Sequence, residues 1–168
     1  RSSAASDVYK RQHLVAGLGT EAVRIQAQTF ARLVQGQIRE TIGPREGEDP
    51  LRHYLDVVAD KTGSLIATAA LLGAKMSGAS LQVQEVLLEF GERIGVAFQL
   101  ADDIIDIDSD PDESGKVPGT DLREGVDTMP VLLLRKALAA GELDAAGQAI
   151  LSRLSTGDLS DDAFLADV

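Results

Sequence analysis

Between Leu81 and Asp106 the chain is apolar at helical spacing with no proline to break it, and its last turns read Phe98-Gln99-Leu100-Ala101-Asp102-Asp103-Ile104-Ile105-Asp106. A helix places residues i, i+3, i+4 and i+7 on one face. Gln99, Asp102, Asp103 and Asp106 therefore share a face, and Ile104 and Ile105 are expected to point elsewhere, into a core. Carboxylates crowded on one face repel each other, and each costs stability where it is buried without a partner. At a helix C-terminus they also oppose the macrodipole. A hard cation such as Mg2+ relieves all of this: it takes oxygen ligands, keeps several waters and accepts phosphate oxygens as further ligands. A solvated acidic helix end is the plainer alternative. It accounts for one or two carboxylates, and poorly for three that follow Phe98-Gln99 inside an apolar helix. The residues themselves leave two readings open, a helix-borne Mg2+ site for a diphosphate and a solvated acidic helix end.

The rest of the chain predicts more helices and no strands. Val23, Phe30, Val34, Ile38 and Ile42 recur at helical spacing until Gly43-Pro44 stops the pattern. A break is expected near Gly17-Leu18-Gly19-Thr20, with Thr20 as cap of the helix that follows. Asp49-Pro50 has the N-cap and N1 chemistry of a helix start. That helix leads to Asp60-Lys61-Thr62-Gly63-Ser64 and then to Leu65–Ala74, apolar nearly all round and rich in small residues, as expected of a closely packed buried helix. Residues 107–128 read as a loop, Met129-Pro130 through Ala140 as a helix, Leu143 through Leu154 as another, and Ser160-Asp161-Asp162 as the start of a last one. The fold class is all-α.

Composition narrows the function. A net charge of −11 argues against a general nucleic-acid binder. An acidic protein still binds an anionic substrate where metal ions bridge the two. The absence of cysteine removes disulfides and thiolate chemistry and fits a reducing, cytoplasmic setting. The longest unbroken apolar run, Leu65 to Ala74, falls short of the ~20 residues of a membrane helix, so no transmembrane segment is expected. Residues 1–12 lack periodicity, and Ser2 to Gln12 reads as the translation of a sequencing adaptor. They are set aside as a non-native tail, leaving 13–168 as part of one domain.

Three rival motifs fail on their own chemistry. An EF-hand loop starting at Asp106 needs Gly at its sixth position and Glu at its twelfth, where this chain has Pro111 and Val117. A di-iron bundle needs Glu-x-x-His pairs, and neither His13 nor His53 has a glutamate three residues earlier. Asp60-Lys61-Thr62-Gly63 matches the phosphorylated-aspartate motif of P-type ATPases, but that motif follows a parallel strand and the flanks here are helical. Taken alone, Lys61 reads as a solvated surface lysine.

Taken together, four segments resemble the trans-polyprenyl diphosphate synthase family. Phe98-Gln99-x-x-Asp102-Asp103-x-x-Asp106 is similar to its second aspartate-rich motif, and Lys61-Thr62 before a small-residue helix is similar to its Lys-Thr segment. Gly115-Lys116, Gly119-x-Asp121-Leu122 and Gly125-x-x-Thr128-x-Pro130 resemble its downstream loop, and Gly36-Gln37 an earlier helix position. The resemblance covers His13 to about Leu138.

It implies an all-α isoprenoid synthase helical bundle, truncated on its N-terminal side. It also implies Mg2+-dependent joining of an allylic diphosphate to isopentenyl diphosphate. By the same resemblance Asp102 would be the main Mg2+ ligand, with Asp103 and Asp106 acting through metal-bound waters or in support. Lys61 and Lys116 would contact the allylic diphosphate. Thr62 and Gln99 would face the developing cation. Asp121 would hold Lys116 or a metal-bound water, and the apolar faces around Phe98 and Leu65 would line the prenyl tunnel. The family's first aspartate-rich motif and the basic segment that binds isopentenyl diphosphate would lie before His13, so the chain alone is expected not to catalyse. Val126 stands where some members have lysine. Family members are commonly dimeric, and helices cut away would leave an exposed apolar face. The other reading is a non-catalytic partner subunit, which has no need of Asp102, Asp103, Asp106, Lys61 and Lys116 together.

Overall fold

The computed structural model describes residues 13–108 and 119–159, together with 161 and 164. Among the described residues there are helices and no strands, in line with the all-α expectation. In chain order they are α1 (Thr20–Ile42), α2 (Pro50–Val58), a π-helical turn (Ala59–Gly63), α3 (Ser64–Met76), α4 (Leu81–Ile107), the single turn α5 (Thr120–Arg123), α6 (Met129–Ala140) and α7 (Ala145–Thr156). They fall into two compact units. The first takes the chain up to Glu46 together with Leu55–Ala97, and the second takes Gly47–Tyr54 together with the chain from Phe98 onward.

Local chemistry sets the helix ends. Gly43 closes α1, its N–H donating to the Arg39 carbonyl, and Pro44 prevents continuation. The Asp49 carboxylate accepts the Leu51 N–H at 2.9 Å, the expected cap for a helix whose first residue is Pro50. Gly141 ends α6 at φ 73°, a left-handed conformation that glycine adopts without a Cβ clash. Asp144 caps α7 by accepting the Gly147 N–H at 2.8 Å. Thr20 is not a cap: Gly19 takes that place, and Thr20 is the first helical residue.

In the first unit the buried edge of α1 is Ala22, Ile25, Thr29 and Gly36. It packs on the π turn and on α3. Thr29 and Thr68 share a hydroxyl–hydroxyl hydrogen bond of 2.5 Å, and Lys75 donates to Glu21 at 2.8 Å, which holds the Glu21 carboxyl below its ordinary range. α3 contacts α4 backbone to backbone. A Cβ on Gly91 would stand 2.6 Å from Ala67 Cα, and one on Gly95 would stand 2.7 Å from Gly63 Cα. That approach explains why α3 buries its small residues Ser64, Ala67 and Ala74 and turns Leu65 outward, against the expectation of a helix buried all round.

The second unit contains α6 and α7, which pack on each other, with Val131, Leu132 and Leu151 buried. At the end of α4 the expectation for the isoleucines is reversed. Ile104 and Ile105 are 57% and 44% exposed, while Asp103 and Asp106 are 2% and 7% exposed. The inward side of that helix end is taken by carboxylates that neighbouring donors satisfy, so the side chains between them face out.

The helical stretch Pro50–Met76 is long and apolar enough, by length and composition only, to cross a membrane, and 33% of its most apolar window is buried. The sequence reading missed it by counting an unbroken apolar run. The helix continues through Asp56, Asp60 and Lys61 where the run does not.

The apolar stripe of α1 lies outside its buried edge: Val23, Phe30, Val34, Ile38 and Ile42 are all exposed, Phe30 by 64%. Such a contiguous apolar face drives association. Replacing Phe30 and Ile38 by glutamate is expected to lower self-association of the chain roughly severalfold, read by light scattering, with helical content by circular dichroism unchanged.

Candidate active site

Lys61 and Thr62 sit in the π turn of the first unit. A π turn inserts one extra residue into a helix and breaks the regular i to i−4 ladder. Here the Ser64 N–H reaches the Ala59 carbonyl, five residues back, and the Ser64 hydroxyl takes the Asp60 carbonyl at 2.6 Å. The turn is gripped by ion pairs. Arg32 donates from Nε to Asp60 Oδ1 at 3.0 Å and from its other nitrogens to both Glu92 oxygens, at 2.8 and 3.4 Å. Arg39 donates to the second Asp60 oxygen at 3.3 Å. The Glu92 bonds, opposed by burial and aided by Asp60, hold the Arg32 guanidinium more firmly protonated than usual. Lys61 Nζ donates to Glu40 Oε2 at 2.6 Å, and Gln37 donates to the same oxygen at 2.9 Å. Gly36 lets α1 approach the turn: a Cβ there would stand 2.9 Å from Asp60 Cβ and 3.0 Å from Lys61 Cγ. Gly36 and Gln37, singled out in the sequence, thus have physical work beside Lys61. Asp60 stood out only as the aspartate of a phosphorylation motif that the helical flanks exclude, and Arg32, Glu92 and Glu40 did not stand out. The signal for a close α3–α4 contact was present in the i, i+4 spacing of Gly63 with Ala67 and of Gly91 with Gly95.

In the second unit the three aspartates of α4 have different surroundings. Asp103 accepts a hydrogen bond from the Tyr54 hydroxyl of α2, and at 3.3 Å the Met129 N–H that opens α6. Gln99 donates its amide nitrogen to the other Asp103 oxygen at 3.4 Å, which sets the Gln99 carbonyl oxygen at the opposite end of that group. Asp106 accepts the Asp121 N–H at 3.1 Å, while its backbone carbonyl accepts the Gly119 N–H at 2.6 Å. Asp102 is half-buried, and Phe98 is 62% exposed. The fold therefore brings Gln99 to Asp103 and Asp121 to Asp106. Lys116 lies outside the described residues. Tyr54 is a site neighbour that no motif in the sequence marked.

The Asp121 carboxyl is raised above its ordinary range, first by burial and then by the negative charges of Asp106, Asp103, Asp102 and Glu124. A carboxyl with a raised pKa in the folded state favours folding below the unfolded pKa and loses that contribution as pH rises through the folded value. In metal-free buffer the stability advantage of Asp121→Asn over the parent is therefore expected to be absent near pH 4 and to grow as pH rises above it. Denaturation midpoints of the two proteins across that range measure it.

Among the described residues no group of three or more His, Asp or Glu side chains is gathered so as to hold a metal ion. The donor chemistry nonetheless fits a hard divalent cation. These are carboxylate oxygens, and Asp121 registers the surplus negative charge around them.

The family model of polyprenyl synthetase matches residues 4–155. The chain belongs to the polyprenyl synthetase family. Among curated relatives in the family it is 55% identical over 150 residues to nonaprenyl diphosphate synthase of Mycobacterium tuberculosis, covering 89% of this chain and 43% of that protein. It is 43% identical over 119 residues to dimethylallyltranstransferase of the same organism, covering 71% of this chain and 36% of that one. The crystal structure of geranylgeranyl pyrophosphate synthase from Corynebacterium glutamicum, complexed with calcium and isoprenyl diphosphate, superposes with a TM-score of 0.75 at 45% identity over 93% of this chain and 46% of that one. The isoprenoid synthase fold expected from the sequence is thus the fold observed, and the chain spans less than half the length of these relatives.

Proposed function

We propose that the protein containing this chain is a trans-polyprenyl diphosphate synthase, which joins an allylic prenyl diphosphate head to tail with isopentenyl diphosphate. The observation that carries this reading is the family match over residues 4–155, which contains Lys61, Thr62, Gln99, Asp102, Asp103, Asp106 and Asp121. The calcium and isoprenyl diphosphate bound by the Corynebacterium glutamicum relative support a divalent cation here, Mg2+ in this reading.

Asp102 is the direct cation ligand. Asp103 and Asp106 support it, since their oxygens already hold Tyr54, Met129, Gln99 and the Asp121 backbone. A cation held by one or two carboxylates, waters and diphosphate oxygens needs no three-carboxylate cage. When bound, it supplies positive charge that neutralises the departing diphosphate. Lys61, and Lys116 beyond the described residues, donate to diphosphate oxygens as point charges outside the coordination sphere. For Lys61 that means exchanging Glu40 for the substrate. The oxygens of Thr62 and Gln99 face the allylic cation, and apolar side chains around Phe98 and Leu65 bound the prenyl chain. Within Pro50–Met76, Asp60 and Lys61 pair with Arg32, Arg39 and Glu40, which suits a helix packed in protein in an aqueous, cytoplasmic setting. The full-length protein acts as a homodimer.

Full-length protein given both substrates and Mg2+ is expected to release diphosphate and form longer trans prenyl diphosphates. Chelation should abolish this, and the 168-residue chain alone should not turn over. Absence of condensation by the full-length protein overturns the reading.

A further inference from the structure

We propose that Arg32 is a positioning residue for Lys61 and Thr62, acting through the π turn that carries them. The inference rests on the roles given to those two residues above. A π turn is one residue more than an α-helix needs, and absorbing it would rotate one side of the helix against the other by about 100°. Lys61 and Thr62 would then leave the face they now occupy. Such a geometry persists only where its surroundings over-determine it.

Around this turn the over-determination is visible. Gly36 fits against Asp60 and Lys61 on one side, and Gly95 against Gly63 on the other. The Ser64 hydroxyl satisfies the carbonyl that the broken ladder leaves over. Those contacts fix distance. Arg32 fixes rotation, because its planar fork ties Asp60, the residue before Lys61, to Glu92 on α4 from a base on α1. Arg39 donates to the other Asp60 oxygen at the longer distance of 3.3 Å. Arg32 and Glu92 are both partly solvent-exposed, so the pair adds little to global stability. Its effect falls on which turn geometry is populated.

The test uses the 168-residue chain with two readouts: hydrogen exchange of the Ser64 amide, which closes the π turn, and binding of inorganic diphosphate in Mg2+ buffer. Arg32→Met is expected to speed Ser64 exchange and weaken diphosphate binding, each by about tenfold, with α6 amides unchanged. Arg32→Lys, which keeps the charge and loses the fork, should fall between. Arg93→Met, which removes an exposed arginine that pairs with Glu89 one turn away on α4, controls for net charge. Unchanged Ser64 exchange in Arg32→Met overturns the proposal. So does a loss of diphosphate affinity no larger than that of Arg93→Met. If Lys61→Ala binds diphosphate as the parent does, the underlying reading of Lys61 fails instead, and the Ser64 amide still reports separately on the clamp.

Discussion

Asp103→Ala is expected to unfold the second unit at temperatures where Asp102→Ala leaves it intact. Asp103 is buried and holds three donors from three places in the chain: Tyr54, Gln99 and the Met129 N–H. Removing its oxygens takes an acceptor from those donors, at ~1–3 kcal/mol for each one left buried and unsatisfied. Relief of a buried carboxylate's own desolvation offsets part of this. The balance is a loss of about 3 kcal/mol, a large share of the ~5–15 kcal/mol that stabilises a domain. Asp103→Asn keeps one oxygen and the side-chain shape, and should recover most of the loss. Asp102 is half-buried, and its alanine variant should stay within about 1 kcal/mol of the parent. Urea unfolding followed by circular dichroism ranks the three. Equal destabilisation by Asp102→Ala and Asp103→Ala would erase the distinction drawn between a ligand and a support.

Gly91→Ala carries the second large effect. The new methyl would meet Ala67 Cα at 2.6 Å, Ala67 N at 2.9 Å and the Ile66 carbonyl at 3.1 Å. All three are backbone atoms, so no rotamer change relieves the clash and α3 must move away from α4. Overpacking costs ~1–3 kcal/mol, and backbone against backbone belongs at the upper end. The gain in helix propensity from glycine to alanine returns ~1 kcal/mol. The net expectation is a loss of about 2 kcal/mol. Gly73→Ala, on α3 with nothing within 4 Å of the added methyl, should instead be neutral or stabilising. Thermal unfolding of the pair decides it. A Gly91→Ala protein as stable as the parent would mean that the two helices do not touch along this edge.

Periodicity and end chemistry carried most of the fold. Leu81 to Asp106 was expected as one helix and runs to Ile107, and Met129–Ala140 was found as expected. Asp49-Pro50 started a helix because its cap and N1 chemistry are local. Three things were not local. The π turn adds one residue to a helix whose composition reads the same with or without it. The environment of each aspartate is set by partners far away in sequence: Tyr54 is 49 residues from Asp103, and Met129 is 26. The period shows that Ile104 and Ile105 share no face with the aspartates, but not which face has neighbours. They lie outward because hydrogen-bonded carboxylates took the inside. The helix face shared by Gln99, Asp102, Asp103 and Asp106 was legible from spacing and the roles assigned to them came from the family resemblance, whereas the hydrogen-bond partners of Asp103 and Asp106 needed coordinates.

The central claim is that Asp102 carries the divalent cation of a prenyl-chain-lengthening reaction. The most direct measurement is turnover of full-length protein bearing Asp102→Ala, with an allylic diphosphate, isopentenyl diphosphate and Mg2+, beside its helical signal and unfolding midpoint. The expected result is a fall in kcat of about a hundredfold or more with folding unchanged. Turnover within a few-fold of the parent, by a protein equally well folded, would contradict it.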